Sequence, residues 1–326
     1  MGRLKFHESA ERERTVASVL ARAAASYSTC AVLVIDDLDG HAQAELTAGG
    51  FDVTPWTRWK VGSRDASTWP GTPATPYKLV LMRLPRIKDA FEMALHAAAS
   101  VMDDDGILLV AGANDEGIKS ASTLMETVFG DVSTVDTRKH CRVMAARKPN
   151  RDEIRGSLKK WRKDIDERIY YPGVFAKGDV DAATRLLIAT LPEITGDVLD
   201  FACGAGVIAA ALPDRKRVWM SDADAIALLA AKENVPEATV VLSDGFTDVD
   251  RKFDAIVSNP PIHRGIVEDF SVLRDLIEQA PAHLNVGGKL IFVVQRQVPT
   301  KAWPNTYKQI EELGGDTRFK VISASV

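Results

Sequence analysis

Cysteine is scarce. The 326 residues hold three, Cys30, Cys141 and Cys203, far apart and without paired spacing. That argues against a disulfide framework or a zinc site and fits a reducing compartment. Long apolar runs are absent as well, and nothing approaches the ~20 residues a helix needs to cross a bilayer. The opening Met1-Gly2-Arg3-Leu4-Lys5-Phe6-His7 lacks the apolar stretch of a secretory signal, and Phe6 stands where a myristoylation signal wants Ser or Thr. A cytoplasmic location with no membrane attachment is therefore expected.

Neither sign of charge dominates, since the net charge is −4. Its distribution says more. From Arg138 to Arg168 there are twelve Lys/Arg against five Asp/Glu. Such a basic stripe is the footprint of a phosphate-backbone partner, although a solvated linker helix reads the same way. The apolar fraction of 46% and charged fraction of 26% belong to a soluble globular chain, long enough for two ordinary domains.

Short apolar runs alternate with helical patterns throughout. Strands are expected at 31–35, 77–84, 107–110, 198–201, 217–220, 239–242, 253–257 and 289–294, with helices between them, including 8–29, 181–191, 206–212 and 266–283. This alternation means a parallel, doubly wound α/β sheet. It also repeats. Tyr77 to Pro85 lines up with Phe253 to Pro261, and Gly106-Ile107-Leu108-Leu109-Val110 with Gly288-Lys289-Leu290-Ile291-Phe292. The copies differ where chemistry would sit. Arg83-Leu84 stands against Asn259-Pro260, and the first turn of the first copy carries three aspartates with one late glycine. The first copy keeps the fold and has lost the site. The expected division is a degenerate domain at 1–150, a basic linker at 151–168 and a catalytic domain at 169–326.

In the second copy Phe253-Asp254-Ala255-Ile256-Val257 reads as a buried strand, and Pro260 and Pro261 end its ladder because neither donates a backbone hydrogen bond. Asn259 is thereby held at the carboxyl edge of the sheet, where open α/β sheets bind ligands. Upstream, Asp200-Phe201-Ala202-Cys203-Gly204-Ala205-Gly206 closes another buried strand. Gly204 and Gly206 let the backbone turn sharply beside a ligand. Asp222 ends the next strand, where a carboxylate accepts from two ribose hydroxyls, and Asp244 ends the third, placed for an adenine amine. Asp244 reads equally well as a turn or capping residue. Cys203 reads as a small packing residue. Trp56 and Trp59 read as a partly buried loop, and Lys159, Lys160, Arg162 and Lys163 around Trp161 as the better RNA-facing cluster.

The ordered set of Asp200, Gly204, Gly206, Asp222, Asp244 and Asn259 resembles class I S-adenosylmethionine-dependent methyltransferases, and Asn-Pro-Pro resembles those that methylate planar amino or amide nitrogens. The lone pair of such a nitrogen is delocalised. If the Asn259 side-chain carbonyl and the Pro260 backbone carbonyl accept its two N–H bonds, the nitrogen is biased towards a pyramidal shape, and in-line positioning supplies most of the rate. No strong general base is needed, because the methylated cation is very acidic. His263 is then a loop or substrate contact rather than a base.

More closely, the whole chain resembles the ribosomal RNA small subunit methyltransferase C family through Tyr171-Pro172-Gly173-Val174-Phe175, Asp179 to Leu187, Asp200 to Gly206, Asn259 to His263, Gly117 to Ala121 and Lys139 to Arg142. The resemblance implies two tandem Rossmann-like methyltransferase domains, the first degenerate and serving RNA binding or stability. It further implies S-adenosyl-L-methionine as cofactor, guanine N2 in ribosomal RNA or a ribosomal subunit as target, and a lid from Tyr171 to Phe175. Asn259 and Pro260 are the catalytic pair, Pro261, Ile262 and His263 touch substrate, and Phe175, Asp200, Ala202, Gly204, Gly206, Asp222, Asp244 and Asn259 hold the cofactor. The target base has to leave its stack to reach Asn259. A monomer without metal is expected.

Three departures from the family pattern stand out. Ile262 replaces an aromatic residue after Asn-Pro-Pro, and aromatic stacking on a base is worth roughly 1–3 kcal/mol. Ala202 replaces a glycine, which is tolerable at negative φ. Leu313 to Val321 reads as too short for the last two strands, so one is expected to be trimmed. Rival readings stay open: a catalytically silent RNA-binding or ribosome-assembly protein on the same fold, an amide methyltransferase acting on a protein glutamine, and, further off, a nicotinamide-dependent oxidoreductase.

Overall fold

A computed structural model describes residues 2–62, 67–68, 76–175, 180–261, 263–264, 267–268, 270–298 and 305–326. The chain forms two compact units, Met1–Trp59 with Arg64–Arg162, and Lys60–Ser63 with Lys163–Val326. The stretch expected as a linker is thus divided. Residues 151–162 pack with the first unit and 163–168 with the second.

The first unit runs α1 (Gly2–Ala24), β1 (Ala31–Ile35), α2 (His41–Ala48), β2 (Asp52–Thr57), β3 (Ser67–Thr68), β4 (Tyr77–Arg83), α3 (Lys88–Val101), β5 (Met102–Ala113), α4 (Ile118–Met125), β6 (Phe129–Arg138) and β7 (Cys141–Pro149). Its sheet has the order β3-β2-β1-β4-β5-β7-β6, parallel except where β7 joins β5 and β6.

In the second unit a hairpin, β8 (Lys163–Ile165) and β9 (Arg168–Tyr170), precedes α5 (Ala182–Thr190), β10 (Val198–Phe201), α6 (Val207–Ala211), β11 (Val218–Asp222), α7 (Ala225–Asn234), β12 (Thr239–Leu242) and β13 (Phe253–Ser258). A small pair, β14 (His263–Arg264) with β15 (Val267–Glu268), then α8 (Ser271–Gln279), β16 (Leu284–Gln295), β17 (Gln309–Gly315) and β18 (Phe319–Ser325) complete it. The sheet order β12-β11-β10-β13-β16-β18-β17 repeats that of the first unit strand for strand.

Register makes the duplication firmer than order alone. The pairing of β4 with β5 slips between Tyr77 and Leu79, and that of β13 with β16 slips between Phe253 and Ala255. The outer antiparallel pairs slip at matching places, Thr134/Asp136 and Glu312/Gly314. Through these registers Met82 matches Ser258, so Arg83 stands where the second unit has Asn259.

Two expectations need correcting. Neither final strand is trimmed: β17 and β18 are each seven residues long. β17 is a polar, mostly exposed edge strand, and so shows no apolar alternation. The helix expected from 266 to 283 is shorter, since α8 spans Ser271–Gln279 and Ala280–His283 is a 3-10 turn with Pro281 in its first half. Ile266 lies outside the described residues.

Central strands of the second sheet are apolar on both faces, as parallel strands covered by helices must be. Val198, Met220, Val257 and Ile291 pack with Leu187, Ile208 and Leu228 on one side. Leu199, Ile256, Leu290 and Phe292 pack with Leu273 and Leu276 on the other. Burial on both faces fixes the carboxyl ends of β10, β11 and β13 relative to one another, and it is there that the site residues cluster.

Candidate active site at the carboxyl edge of the second sheet

Ser258, fully buried, donates its hydroxyl hydrogen to the carbonyl of Phe201 at 2.8 Å, tying the end of β13 to the end of β10. The next residue, Asn259, is half-buried, Pro260 is buried and Pro261 is exposed. The Asn259 amide nitrogen donates to Thr184 Oγ1 at 2.9 Å and to Asp181 Oδ2 at 3.1 Å. A carboxylate only accepts, so the nitrogen end of the carboxamide is assigned by its chemistry and Oδ1 is the end turned away. Asp181 is the N-cap of α5, accepting from the Thr184 N–H at 2.6 Å. In the sequence Asp181 stands only at the start of an expected helix.

Behind β10 the chain turns through three left-handed residues, Ala202 at φ 55°, Gly204 at φ 54° and Gly206 at φ 78°. Gly206 has a second constraint: a Cβ there would meet Met220 Sδ at 3.0 Å and Ala231 Cβ at 3.3 Å. Ala202 overturns the expectation of a negative φ. Left-handed backbone costs an L-residue roughly 1–2 kcal/mol, offset in part by the entropy a glycine would lose on folding. Ala202→Gly should therefore raise the unfolding free energy by about 0.5–1 kcal/mol. Urea denaturation of the full chain measures it, and an unchanged or lower midpoint would show that the turn carries no such strain.

Asp200 is fully buried. Its Oδ2 accepts from the Ala209 N–H at 3.0 Å, while Oδ1 is enclosed without a hydrogen-bond partner among the described residues. Burial, reinforced by Asp222 and opposed by the Ala209 hydrogen bond, pushes its carboxyl up to about 8. An orphaned acceptor under the turn suits a cationic ligand, reached directly or through water. Asp222 ends β11 with both oxygens in use, Oδ2 accepting from the Gly204 N–H at 2.8 Å and Oδ1 from the Asp224 N–H at 2.9 Å. It fastens the glycine turn. Asp244 follows β12 and is exposed. The N–H of Gly62, in the short segment that belongs to this unit, donates to its Oδ2 at 2.7 Å. Two carboxylates at and just past consecutive strand ends, Asp222 and Asp244, with the buried Asp200 carboxyl under the tight turn, form a set that fits a ribonucleoside. A cationic tail beside Asp200 would favour its ionised form.

Cys203 is buried, and burial raises its thiol well above the ordinary range, so it packs rather than reacts. Tyr171 donates to Glu233 Oε1 at 2.6 Å and is buried with Val174, whereas Phe175 is 68% exposed. The turn before Phe175 is anchored and Phe175 itself is open to contact. Ile262 lies outside the described residues, and His263 is described only as backbone in β14.

The RNA-facing cluster needs one correction. Trp161 is buried, donates its ring N–H to the Arg155 carbonyl at 2.8 Å and packs on His96 with ring centroids 5.2 Å apart. It cannot stack on a base. Lys159, Lys160 and Arg162 around it are exposed. Trp56 is buried and Trp59 is 36% exposed.

At the matching edge of the first unit the turn spends its carboxylates internally. Asp36 Oδ1 accepts from the Arg58 N–H at 2.9 Å and Asp37 Oδ2 from the Gln43 N–H at 2.8 Å. Arg83, in the Asn259 position, pairs with Glu13 and Glu116, and Arg86 also reaches Glu116 at 2.7 Å. Burial works against charge here, but Glu13 and Glu116 hold Arg83 above its ordinary value. The edge is filled.

A family model described as the methyltransferase small domain matches residues 168–323, and one described as its N-terminal domain matches residues 17–164. The ribosomal RNA small subunit methyltransferase C of Alteromonas mediterranea is 34% identical over 275 residues, covering 78% of this chain and 74% of that protein. Its namesake in Shewanella pealeana is 31% identical over 264 residues, covering 76% and 77%. Among solved structures, the 16S rRNA N2 methyltransferase of T. thermophilus, in complex with AdoMet and guanosine, superposes with a TM-score of 0.78 at 23% identity, covering 95% of this chain and 91% of that one.

Proposed function

We propose, for a chain that belongs to the ribosomal RNA small subunit methyltransferase C family, that it is an S-adenosylmethionine-dependent enzyme methylating the exocyclic N2 amino group of a guanine in ribosomal RNA. The observation that carries this reading is the orientation of Asn259. Its NH₂ is taken by Asp181 and Thr184, so its oxygen is the group left to meet an incoming amine. S-adenosylmethionine, when bound, supplies an electrophilic sulfonium methyl.

The residues divide the work. Asp222 and Asp244 accept from the nucleoside half of the cofactor, Asp200 answers its cationic half, and Gly204 and Gly206 let the backbone come close. The oxygens of Asn259 and Pro260 accept the two N–H bonds of the target amine and turn its lone pair away from themselves. Pro261, Ile262 and His263 line the approach of the base, and Phe175 closes over the cofactor. The first unit, its own edge filled by Arg83, serves RNA binding or the stability of the chain, with Lys159, Lys160 and Arg162 on RNA phosphates. We place the enzyme in the cytoplasm, acting as a monomer on ribosomal RNA. No helix among the described residues is long and apolar enough to cross a membrane.

Ile262, in place of the family's aromatic residue, favours one rival, a silent RNA-binding protein on the same fold. Incubating the full chain with methyl-labelled S-adenosylmethionine and ribosomal RNA, then analysing nucleosides by mass, separates the two. The expected product is N2-methylguanosine. Cofactor binding without label in RNA would favour the silent reading, and no cofactor binding at all would remove both the enzyme and its site.

A further inference from the structure

A carboxamide at the end of a strand has two nearly isosteric faces. Rotated by 180° it offers NH₂ where it offered oxygen, with little change in shape. For a site that must accept from an amine, only one of these states works. Water or an indifferent neighbour would leave both populated.

In this structure the choice is made from outside the motif. Asn259 Nδ2 lies 2.9 Å from Thr184 Oγ1, 3.1 Å from Asp181 Oδ2 and 3.5 Å from Asp181 Oδ1. Asp181 is itself held, because its Oδ1 accepts from the Thr184 N–H at 2.6 Å as the N-cap of α5. Thr184 is 7% exposed, so its hydroxyl is not free to swing into solvent. The first turn of α5 therefore aims one obligate acceptor, the Asp181 carboxylate, and one buried hydroxyl at the same end of the amide. In the flipped state Asn259 Oδ1 would face the Asp181 carboxylate, losing the charge-assisted bond and setting lone pairs against each other. The Thr184 hydroxyl can donate as well as accept, and so holds the plane of the amide more than its sense.

We propose that Asp181 and Thr184 are positioning residues that lock the Asn259 carboxamide with its oxygen towards substrate, and so make the site select an N–H donor over a carbonyl. This rests on Asn259 being the group that meets the target amine. Selection follows from the polarity of one bond: an exocyclic amine finds two acceptors, whereas a base oxygen at the same place finds lone pairs only. The latch acts through Asn259 and touches neither substrate nor cofactor.

Asp181→Asn is the sharpest test, because asparagine caps a helix as well as aspartate does. With its oxygen kept on the Thr184 N–H, the new side chain turns an NH₂ towards that of Asn259 and drives the flip. In the full chain, with ribosomal RNA as substrate, we expect kcat to fall about 100-fold while the S-adenosylmethionine dissociation constant and KM for RNA stay within twofold. Thr184→Val should lose about tenfold in kcat, and Thr184→Ser, which keeps the hydroxyl, should recover most of that loss. In an Asn259→Ala background, Asp181→Asn should change the residual turnover less than threefold, since no amide remains to orient. Undiminished kcat in Asp181→Asn overturns the latch. So does an equal loss with and without Asn259, which would make Asp181 a base or an RNA contact in its own right. If Asp181→Asn fails to fold, the Thr184 pair decides, and equal turnover of the valine and serine variants overturns the proposal. Full activity of Asn259→Ala alone would instead strike the catalytic reading beneath it.

Discussion

Asn259→Ala lowers the turnover of methyl transfer to ribosomal RNA by about two to three orders of magnitude, the scale on which removing one preorganised hydrogen-bonding group from an active site is felt. Cofactor affinity stays within about twofold. The two effects separate because Asn259 sits at the end of β13, whereas the groups assigned to the nucleoside are Asp222 after β11 and Asp244 after β12. An alanine removes the acceptor and leaves Asp181 and Thr184 paired with each other through the cap. It also leaves Ser258 on the Phe201 carbonyl, so the edge keeps its shape. Single-turnover kinetics with labelled cofactor, alongside calorimetry of cofactor binding, makes the measurement. Unchanged turnover would remove Asn259 from the chemistry, and a large loss of cofactor affinity would move it into the cofactor site.

Asp222→Ala produces the converse pattern, with S-adenosylmethionine affinity falling about 100-fold or more. Two losses add here. The ribose loses a charged acceptor, and hydrogen bonds to charged groups are worth about 1.5–3 kcal/mol each. The turn loses its fastening, because Gly204 and Asp224 both donate to that carboxylate. Asp222→Asn should do little better, since an amide keeps one acceptor and presents NH₂ to one of those two N–H groups. Saturating cofactor should restore much of the turnover, because the amine-facing residues are untouched. A variant that binds the cofactor as wild type does would place the ribose elsewhere.

Much of the site was legible because prolines and glycines punctuate it. Pro260 and Pro261 end β13 where the proposed site begins, and the apolar runs after Gly106 and Gly288 carry the duplication in the sequence itself. What escaped was long-range or conformational. Asp181 reads locally as a helix cap, and it is one; nothing nearby in the chain says that its other oxygen serves a residue 78 positions on. The sign of φ at Ala202 is invisible in a residue whose Cβ argues for the opposite sign. Trp161 sits among lysines and an arginine and so reads as an RNA platform, but its ring N–H is satisfied inside the fold. β17 went unread because an edge strand with little to bury has no alternation to show.

The ion cluster around Arg83 ties the folding of the first unit to the residue that fills its edge. Glu116, whose side chain is 1% exposed, depends on two guanidinium groups, and Glu13 leans on the same pair. An asparagine at 83 would take from the buried Glu116 carboxylate one of its two guanidinium partners and leave it to Arg86, which destabilises the first unit. The edge of the first unit is thus closed by the same contacts that hold its buried carboxylate, so its closure is part of its stability.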